Sequence, residues 1–260
     1  MIKIISWNVN SIRSRLEHLL RFVDEQAPDV LLLQETKCID HKFPHEFLDH
    51  LGYNMIVHGE KSYNGVAIMS KGPIEDVRRG LPGDESDTQA RYLEAVTTID
   101  NHVLRVASVY VPNGQSVGSD KFHYKLRFLE RMTQYAETWR HSHEMVLIGG
   151  DYNVAPEEID VYNPKHLDGS IGFHPVERQA IRGLMATNMM DAYRIMHPNN
   201  QVFSWWDYRS GGWQHNRGMR IDYILASPSV CDHLVDAGVY DGVRGWKTPS
   251  DHAPVYVCLG

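Results

Sequence analysis

Amides and carboxylates recur where apolar, strand-like runs end: Asn8 and Asn10 after Ile2–Trp7, Glu35 after Val30–Leu33, and Asp151 and Asn153 after Met145–Ile148 and the pair Gly149-Gly150. Tyr110 stands near the end of a Val103–Val111 run, Asp222 near the start of another, and Asp251-His252 just ahead of Val255–Leu259. Gathered on one edge, such a set makes a poor core and a good seat for a hard cation and a phosphate. Mg²⁺ takes oxygen ligands and keeps waters, so one or two carboxylates and an amide suffice to hold it. A divalent ion offsets phosphate charge in the transition state, and an attacking water needs a base or an orienting carboxylate. His252, beside Asp251 and with Asp222 available, offers an imidazole that a carboxylate can orient or keep protonated. Tyr110 can steady charge developing on an oxygen. Taken singly, each residue reads more plainly as a turn, a cap or a surface group. Their conjunction at strand ends is what points to a metal-dependent hydrolase.

For these residues to meet, strands running in both directions must finish at a common edge. The spacing of Ile12, Leu16, Leu19, Leu20 and Val23 predicts a helix stopped by Pro28. Phe122, Leu126, Leu129, Met132, Ala136 and Trp139 predict a long amphipathic helix, and shorter helices are expected over Val176–Ala186 and around Cys231–Val235. Val30–Leu33 suits a strand buried on both faces. Further strands are expected at Met55–His58, Val66–Ser70, Tyr92–Thr98 and Ile221–Ala226. The connection from Tyr92–Thr98 to Val103–Val111 is too tight for a helical crossover, so that pair is antiparallel. The sheets are therefore mixed, with helices outside. Neither G-x-G-x-x-G nor G-x-x-x-x-G-K-[ST] occurs, which disfavours a dinucleotide or P-loop fold.

Composition bounds the rest. The 260 residues, 42% of them apolar, carry no repeat or Pro/Gly/Ser linker and are expected to form a single domain, 1–260. A formal charge of -7 argues against a general coat for nucleic acid, though not against a protein that meets it through one face. Cys38, Cys231 and Cys258 are odd in number and scattered, which argues against a disulfide framework or cysteine zinc site and suits a reducing compartment. With no long apolar run and no secretory signal pattern, the expected location is cytoplasmic, away from membranes.

Seven strings occur in order: Trp7-Asn8-Val9-Asn10, Gln34-Glu35-Thr36-Lys37, Tyr110-Val111-Pro112-Asn113-Gly114, Gly149-Gly150-Asp151-Tyr152-Asn153-Val154-Ala155-Pro156, Phe203-Ser204-Trp205-Trp206-Asp207-Tyr208-Arg209, Arg220-Ile221-Asp222-Tyr223 and Pro249-Ser250-Asp251-His252-Ala253-Pro254. Together, over essentially the whole chain, they resemble the exonuclease III family of abasic-site endonucleases. The resemblance implies a four-layer α/β sandwich, two packed mixed β-sheets flanked by helices, shared with deoxyribonuclease I. It implies Mg²⁺- or Mn²⁺-dependent cleavage 5′ to an abasic site in duplex DNA, with 3′-phosphatase, 3′-phosphodiesterase and 3′→5′ exonuclease activities in varying proportion. Carried over by position, Glu35 is the principal metal ligand with Asn8 beside it, and Asp251 is a further candidate ligand. Asp151 orients or deprotonates the attacking water, Asn153 helps hold the site, His252 with Asp222 contacts the scissile phosphate, and Tyr110 lies near that phosphate. Either Asp151 or the His252–Asp222 pair can be the base, and one or two metal ions fit the pattern.

The same resemblance places Trp205, Met219 and Ile221 around a pocket for the flipped abasic sugar, which has no stacking or pairing to lose. Gly172, in the Pro164–Pro175 segment bordering that pocket, leaves room for an abasic nucleotide. Expected DNA contacts are Asn113, Gln115, Lys121, Lys125, Arg209, Arg217 and Arg220. Charge sorts by segment in the same sense: residues 143–177 hold seven acids against one lysine, while residues 105–140 hold six Lys/Arg against three acids. The expected partner is duplex DNA with abasic sites or blocked 3′ ends, met by a monomer. Two alternatives share the residues: a phospholipid or inositol-phosphate phosphodiesterase of the same superfold, and a DNA-binding regulator that lost the chemistry. The tryptophan-rich Phe203–Arg209 string disfavours the first, and the joint presence of Glu35, Asp151, Asn153, Asp222 and His252 disfavours the second.

Overall fold

The computed structural model describes residues 1–260. The strands in chain order are β1 (Ile2–Asn8), β2 (Val30–Gln34), β3 (Asn54–His58), β4 (Val66–Ser70), β5 (Ile74–Arg79), β6 (Tyr92–Ile99), β7 (His102–Tyr110), β8 (Met145–Asp151), β9 (Met190–Asp191), β10 (Trp205–Trp206), β11 (Gly218–Met219), β12 (Asp222–Ala226), β13 (Leu234–Val239) and β14 (Val255–Leu259). The long helices are α1 (Leu16–Gln26), α2 (Asp120–Ala136) and α3 (Pro175–Met185). One six-stranded sheet has the order β13-β14-β1-β2-β4-β3 and the other β5-β6-β7-β8-β12-β9, while β10 and β11 form a short ribbon. Each large sheet is antiparallel except for one central parallel pair, β1–β2 in the first and β7–β8 in the second. A parallel pair needs a crossover, and both are joined through a long helix, α1 and α2 respectively.

Four layers follow from the two-residue period of the strands. Ile4 of β1 faces the space between the sheets with Leu32, Val106 and Leu147, whereas Ile5 and Trp7 turn outward onto Leu19 and Phe22 of α1. On the second sheet Val109, Val146 and Ile148 face out to Phe128, Leu129 and Met132 of α2 and to Ile181 and Leu184 of α3. Both faces of the central strands are therefore apolar, which is why their sequences run unbroken rather than alternating. Cutting Leu32 to alanine between the sheets would cost about 2–5 kcal/mol, the usual range for a fully enclosed leucine.

The topology collects the polar strand ends. Both parallel pairs finish at one edge, bringing Asn8, Glu35, Tyr110 and Asp151 together, and Tyr110 is in register with Asp151. The antiparallel neighbours start there: Asp222 lies opposite Asp151, and Asp251-His252 leads into β14. Just beneath this edge the sheets approach closely. A Cβ on Gly149 would sit 2.7 Å from Leu32 Cδ1, so only glycine lets β8 pass there. The inter-sheet core also turns polar toward the site, where Gln34 Nε2 donates to Ser6 Oγ at 3.1 Å and to Ser108 Oγ at 2.9 Å.

Three expectations about the elements need correction. The helix placed around Cys231–Val235 is a four-residue turn, Pro228–Cys231, followed by the edge strand β13, whose register shifts between Leu234 and Asp236. The helix expected from Ile12 begins at Leu16, and Ile12 is buried in the turns before it. The edge strand β5 lies outside the expected strands, because both its faces are exposed and carry Glu75, Asp76, Arg78 and Arg79, the charged residues that keep a free edge from pairing. All three cysteines are free, and no helix is long and apolar enough to cross a membrane.

Candidate active site

Backbone geometry at the strand ends aims the side chains. Glu35 leaves β2 in the left-handed region at φ 51°, and Asn153 does the same two residues after Asp151 at φ 52°. Asp151 Oδ1 accepts the Asn153 N–H at 2.9 Å, and Asn153 Nδ2 donates to the Val111 carbonyl at 2.9 Å, which ties the β7 and β8 exits together. On the opposite side, Ser250 Oγ donates to the Asn8 carbonyl at 2.7 Å and so fixes the loop carrying Asp251 and His252.

The buried Asn8 amide sits at the centre, its Nδ2 2.9 Å from both Glu35 Oε1 and Asp151 Oδ2. Its Oδ1 accepts the Asn10 N–H at 3.0 Å. Asn8, expected among the metal ligands, thus turns its NH₂ toward the carboxylates, and its oxygen faces a backbone donor. In this arrangement the amide donates to both carboxylates and spaces them. His252 Nδ1 lies 2.9 Å from Asp222 Oδ2, and its Nε2 points toward Asp151 Oδ2 at 3.7 Å. Asp222 is in turn held by Ser204 Oγ at 2.7 Å, and that hydroxyl also accepts the N–H groups of Ile221 and Asp222.

This crowding sets the protonation states. Burial draws His252 down, but Asp222 and Asp151 outweigh it and push the imidazole up to about 10. Burial raises Asp151, His252 opposes the rise, and the neighbouring Asp222 and Glu35 charges reinforce it. Burial would also raise Glu35, yet Lys37 Nζ at 2.7 Å and the Asn8 amide hold it below the usual carboxylate value. Tyr110 is raised by burial and then by Glu35 and Asp151, so it stays a phenol, with Arg91 stacked 4.8 Å from its ring centre.

A cavity of about 270 Å³ opens over these groups. Glu35, Tyr110, Asn113, Asp151, Asn153, Asp251 and His252 form its polar floor, and Trp205, Met219, Ile221 and Gly172 form an apolar wall. Of the catalytic, metal and pocket residues singled out in the sequence, Asn8 and Asp222 are absent from this lining, though both are bonded to residues in it, and the rest border it. Asp251 is braced by Asn10 Nδ2 at 2.8 Å and Trp205 Nε1 at 3.0 Å, so both its oxygens are already engaged. The candidate ligand atoms of Glu35, Asp151 and His252 lie within 4.8 Å of one another. The buried Asp151 carboxyl, raised by that burial, and the half-buried Glu35 carboxylate form a hard-oxygen set that suits a divalent cation.

Two expected DNA contacts are elsewhere. Lys125 is fully buried: its Nζ donates to the Asn153 carbonyl at 2.7 Å, to the Asn113 carbonyl at 3.2 Å and to Glu177 Oε1. Arg220 is 1% exposed and clamped between Asp160 and Asp191, each 2.7 Å away. Both cations are structural, because each is enclosed with a carboxylate. Lys121, Arg217 and Gln115 are exposed, while exposed Arg209 pairs with Asp207. Sequence reasoning missed Ile171 in the pocket wall, Ser204 behind Asp222 and Lys37 beside Glu35. Ser204 and Lys37 lay inside quoted strings, but a hydroxyl or an ammonium carries no spacing signal of its own.

The profile of the Endonuclease/Exonuclease/phosphatase family matches residues 5–252. Exodeoxyribonuclease III of Haemophilus influenzae is 37% identical, with 98% of each chain covered. An AP endonuclease from Archaeoglobus fulgidus superposes with a TM-score of 0.93 at 37% identity, covering 100% of this chain and 99% of that one. A 3′ phosphatase from Neisseria, bound to a product DNA hairpin, superposes with a TM-score of 0.94 at 35% identity over 100% of both chains.

Proposed function

The chain belongs to the Endonuclease/Exonuclease/phosphatase family and is a hydrolytic nuclease of DNA repair, and we propose that it cleaves the phosphodiester on the 5′ side of an abasic site in duplex DNA. The observation that carries this reading is the pairing of the Asp222–His252–Asp151 cluster with an apolar wall in one cavity of about 270 Å³. The floor handles a phosphate, and Trp205, Met219 and Ile221 accept a bare sugar, which leaves the helix cheaply because it has no base to unstack. Gly172 keeps that wall open: it holds φ 80°, and a Cβ there would lie 3.3 Å from the Asn153 carbonyl oxygen. The open wall favours an abasic nucleotide over restriction to 3′ ends.

The residues divide the work by protonation state. Asp222 and Asp151 keep His252 protonated at neutral pH, so it donates to a phosphate oxygen and is unsuited to act as base. Asp151, pushed up to about 8 by burial and held by Asn153 N–H and Asn8 Nδ2, is in its ionised form the stronger base of the site's carboxylates and takes the proton of the attacking water. Tyr110, kept as a phenol, donates toward the same phosphate. Glu35, with Asp151 adjoining, would hold Mg²⁺ or Mn²⁺. When bound, the ion supplies positive charge that offsets the phosphate oxygens.

A duplex with one tetrahydrofuran abasic analogue tests this directly. Incision on the 5′ side is expected with Mg²⁺ and not with EDTA, and Asp151→Asn or His252→Ala should each lower kcat by at least about a hundredfold, the scale of a lost acid or base. Undiminished incision in EDTA, or wild-type rates in His252→Ala, would refute the mechanism.

A further inference from the structure

Beside the catalytic pocket, across the Pro249–His252 loop, lies a second cavity of about 310 Å³ walled by Arg244, Tyr208, Trp213 and Trp246. Arg244 is 5% exposed and has no carboxylate partner. Its Nη1 donates to the Ser250 carbonyl, and its buried Nε finds no protein acceptor. Three aromatic rings surround the guanidinium instead, with centres at 5.5 Å for Tyr208, 5.8 Å for Trp213 and 6.0 Å for Trp206. Ring faces return part of the solvation that a buried cation loses, but they supply no anion. Holding one carbonyl could be done by a neutral donor, so the charge is left unexplained.

A second cation repeats the pattern. Arg15 Nη2 reaches the Tyr208 hydroxyl and the Pro249 carbonyl, both at 3.2 Å; its Nε is also buried without an acceptor, and no carboxylate pairs with it. Asp207, the acid in the cavity wall, is already bound by Arg209 at 2.7 Å. The region therefore combines two uncompensated guanidiniums with two indoles, Trp213 and Trp246, on the cavity wall. A phosphate satisfies the first feature and a planar base the second.

We propose that this cavity receives a nucleotide of the substrate strand, outside the one in the catalytic pocket, with its phosphate on Arg244 and its base against Trp213 and Trp246. The proposal rests on the nuclease reading above and extends it to a second contact along the strand. The two pockets are joined through the loop: the Tyr208 hydroxyl donates to the Pro249 carbonyl at 2.7 Å, and Asn10, which braces Asp251, lies 3.4 Å from that hydroxyl. A filled cavity would thus press on the segment that carries His252.

Binding measured in EDTA separates this site from catalysis. Abasic duplexes are trimmed one nucleotide at a time from either side of the lesion, and Kd is read by tryptophan fluorescence for wild type, Trp246→Ala and Arg244→Met. Wild-type affinity should drop about tenfold at one trimming step on one side. Trp246→Ala should already show that loss on the longest duplex and lose nothing further at the step. Because Arg244 also holds Ser250, the half-buried Trp246 is the deciding variant. Equal losses for wild type and Trp246→Ala at every step would overturn the proposal. So would binding of free deoxyadenosine monophosphate, abolished in Trp246→Ala, without any length step, since that assigns the cavity to a free nucleotide. Cleavage of the same duplexes in Mg²⁺, scored separately, tests the nuclease reading alone.

Discussion

Replacing Lys125 by methionine should damage both the stability of the fold and the catalytic pocket. The ammonium and the Glu177 carboxylate are both fully enclosed. Lys125 holds the carbonyls of Asn113 and Asn153, and Glu177 Oε2 accepts the N–H groups of Gly172 at 2.8 Å and His174 at 3.1 Å. Methionine keeps the volume but leaves a buried carboxylate facing only backbone donors, and it strands two carbonyls. Breaking one partner of a buried pair costs about 3–5 kcal/mol. At roughly 2–4 °C per kcal/mol for a chain of this size, Tm should fall by about 6–20 °C in a calorimetric scan. The double variant Lys125→Met/Glu177→Met removes both charges. An isolated ion pair would then recover most of the loss, but here the buried Gly172 N–H and Asn153 carbonyl lose their partners, at about 1–3 kcal/mol each, and the part-buried His174 N–H and Asn113 carbonyl lose theirs as well. Less than half of the stability should return. Asn113, Asn153 and Gly172 all line the catalytic pocket, so kcat/KM should fall further at temperatures where the single variant is still folded. A single-variant loss below about 1 kcal/mol, or full recovery in the double variant, would show that the pair does not organise the pocket.

Gly172→Ala adds a methyl 3.3 Å from the Asn153 oxygen and 3.5 Å from Met219 Cε, on a backbone at φ 80°. The left-handed conformation costs alanine roughly 1–2 kcal/mol, and abasic incision should drop several-fold more than release of a 3′-phosphate; equal losses would remove Gly172 from the specificity wall. In the metal-free protein His252 is raised from 6.5 to about 10, so its contribution to stability is fully present below 6.5 and is lost as pH rises through about 10. Urea unfolding across that range should show a decline that His252→Gln flattens, and parallel profiles for the two proteins would contradict the assigned protonation.

The central strands were legible because both their faces are buried: β2, with Val30, Leu31, Leu32 and Leu33, is a short unbroken apolar run between Pro28-Asp29 and Gln34-Glu35. Edge elements were not. Along β5, Ile74 is followed by charged residues on a free edge, so no period-two pattern survives. The run after Cys231 looked helical because Cys231, Leu234 and Val235 fall at helical spacing. Pairing with β14 makes a strand of it instead, a long-range contact that no local window contains. The site was legible for a related reason. Polar residues that interrupt a buried run must be accommodated, and the two parallel pairs put those interruptions at one edge.

Charge was the least readable property, since a formal sign says nothing about where an ion is held. Residues 105–140 seemed to offer a basic face toward DNA. Of their cations, Lys125 is enclosed with Glu177, Arg131 binds Asp87 at 2.7 Å, Arg105 is bound by Asp76, Glu94 and Glu144, and Arg140 pairs with Glu137. Only Lys121 and Arg127 remain outside such pairs. Guanidiniums that combine a buried, unpartnered Nε with the lack of a carboxylate partner sit instead at Arg15 and Arg244, in segments whose composition is unremarkable. A net charge of -7 is therefore compatible with a nucleic-acid substrate for a local reason. Attraction at a phosphate depends on guanidiniums that lack a carboxylate within reach, and burial lowers the screening that weakens an exposed pair. Where contact engages only a handful of phosphates, affinity should fall only moderately with added salt, with a slope set by that number rather than by the overall charge.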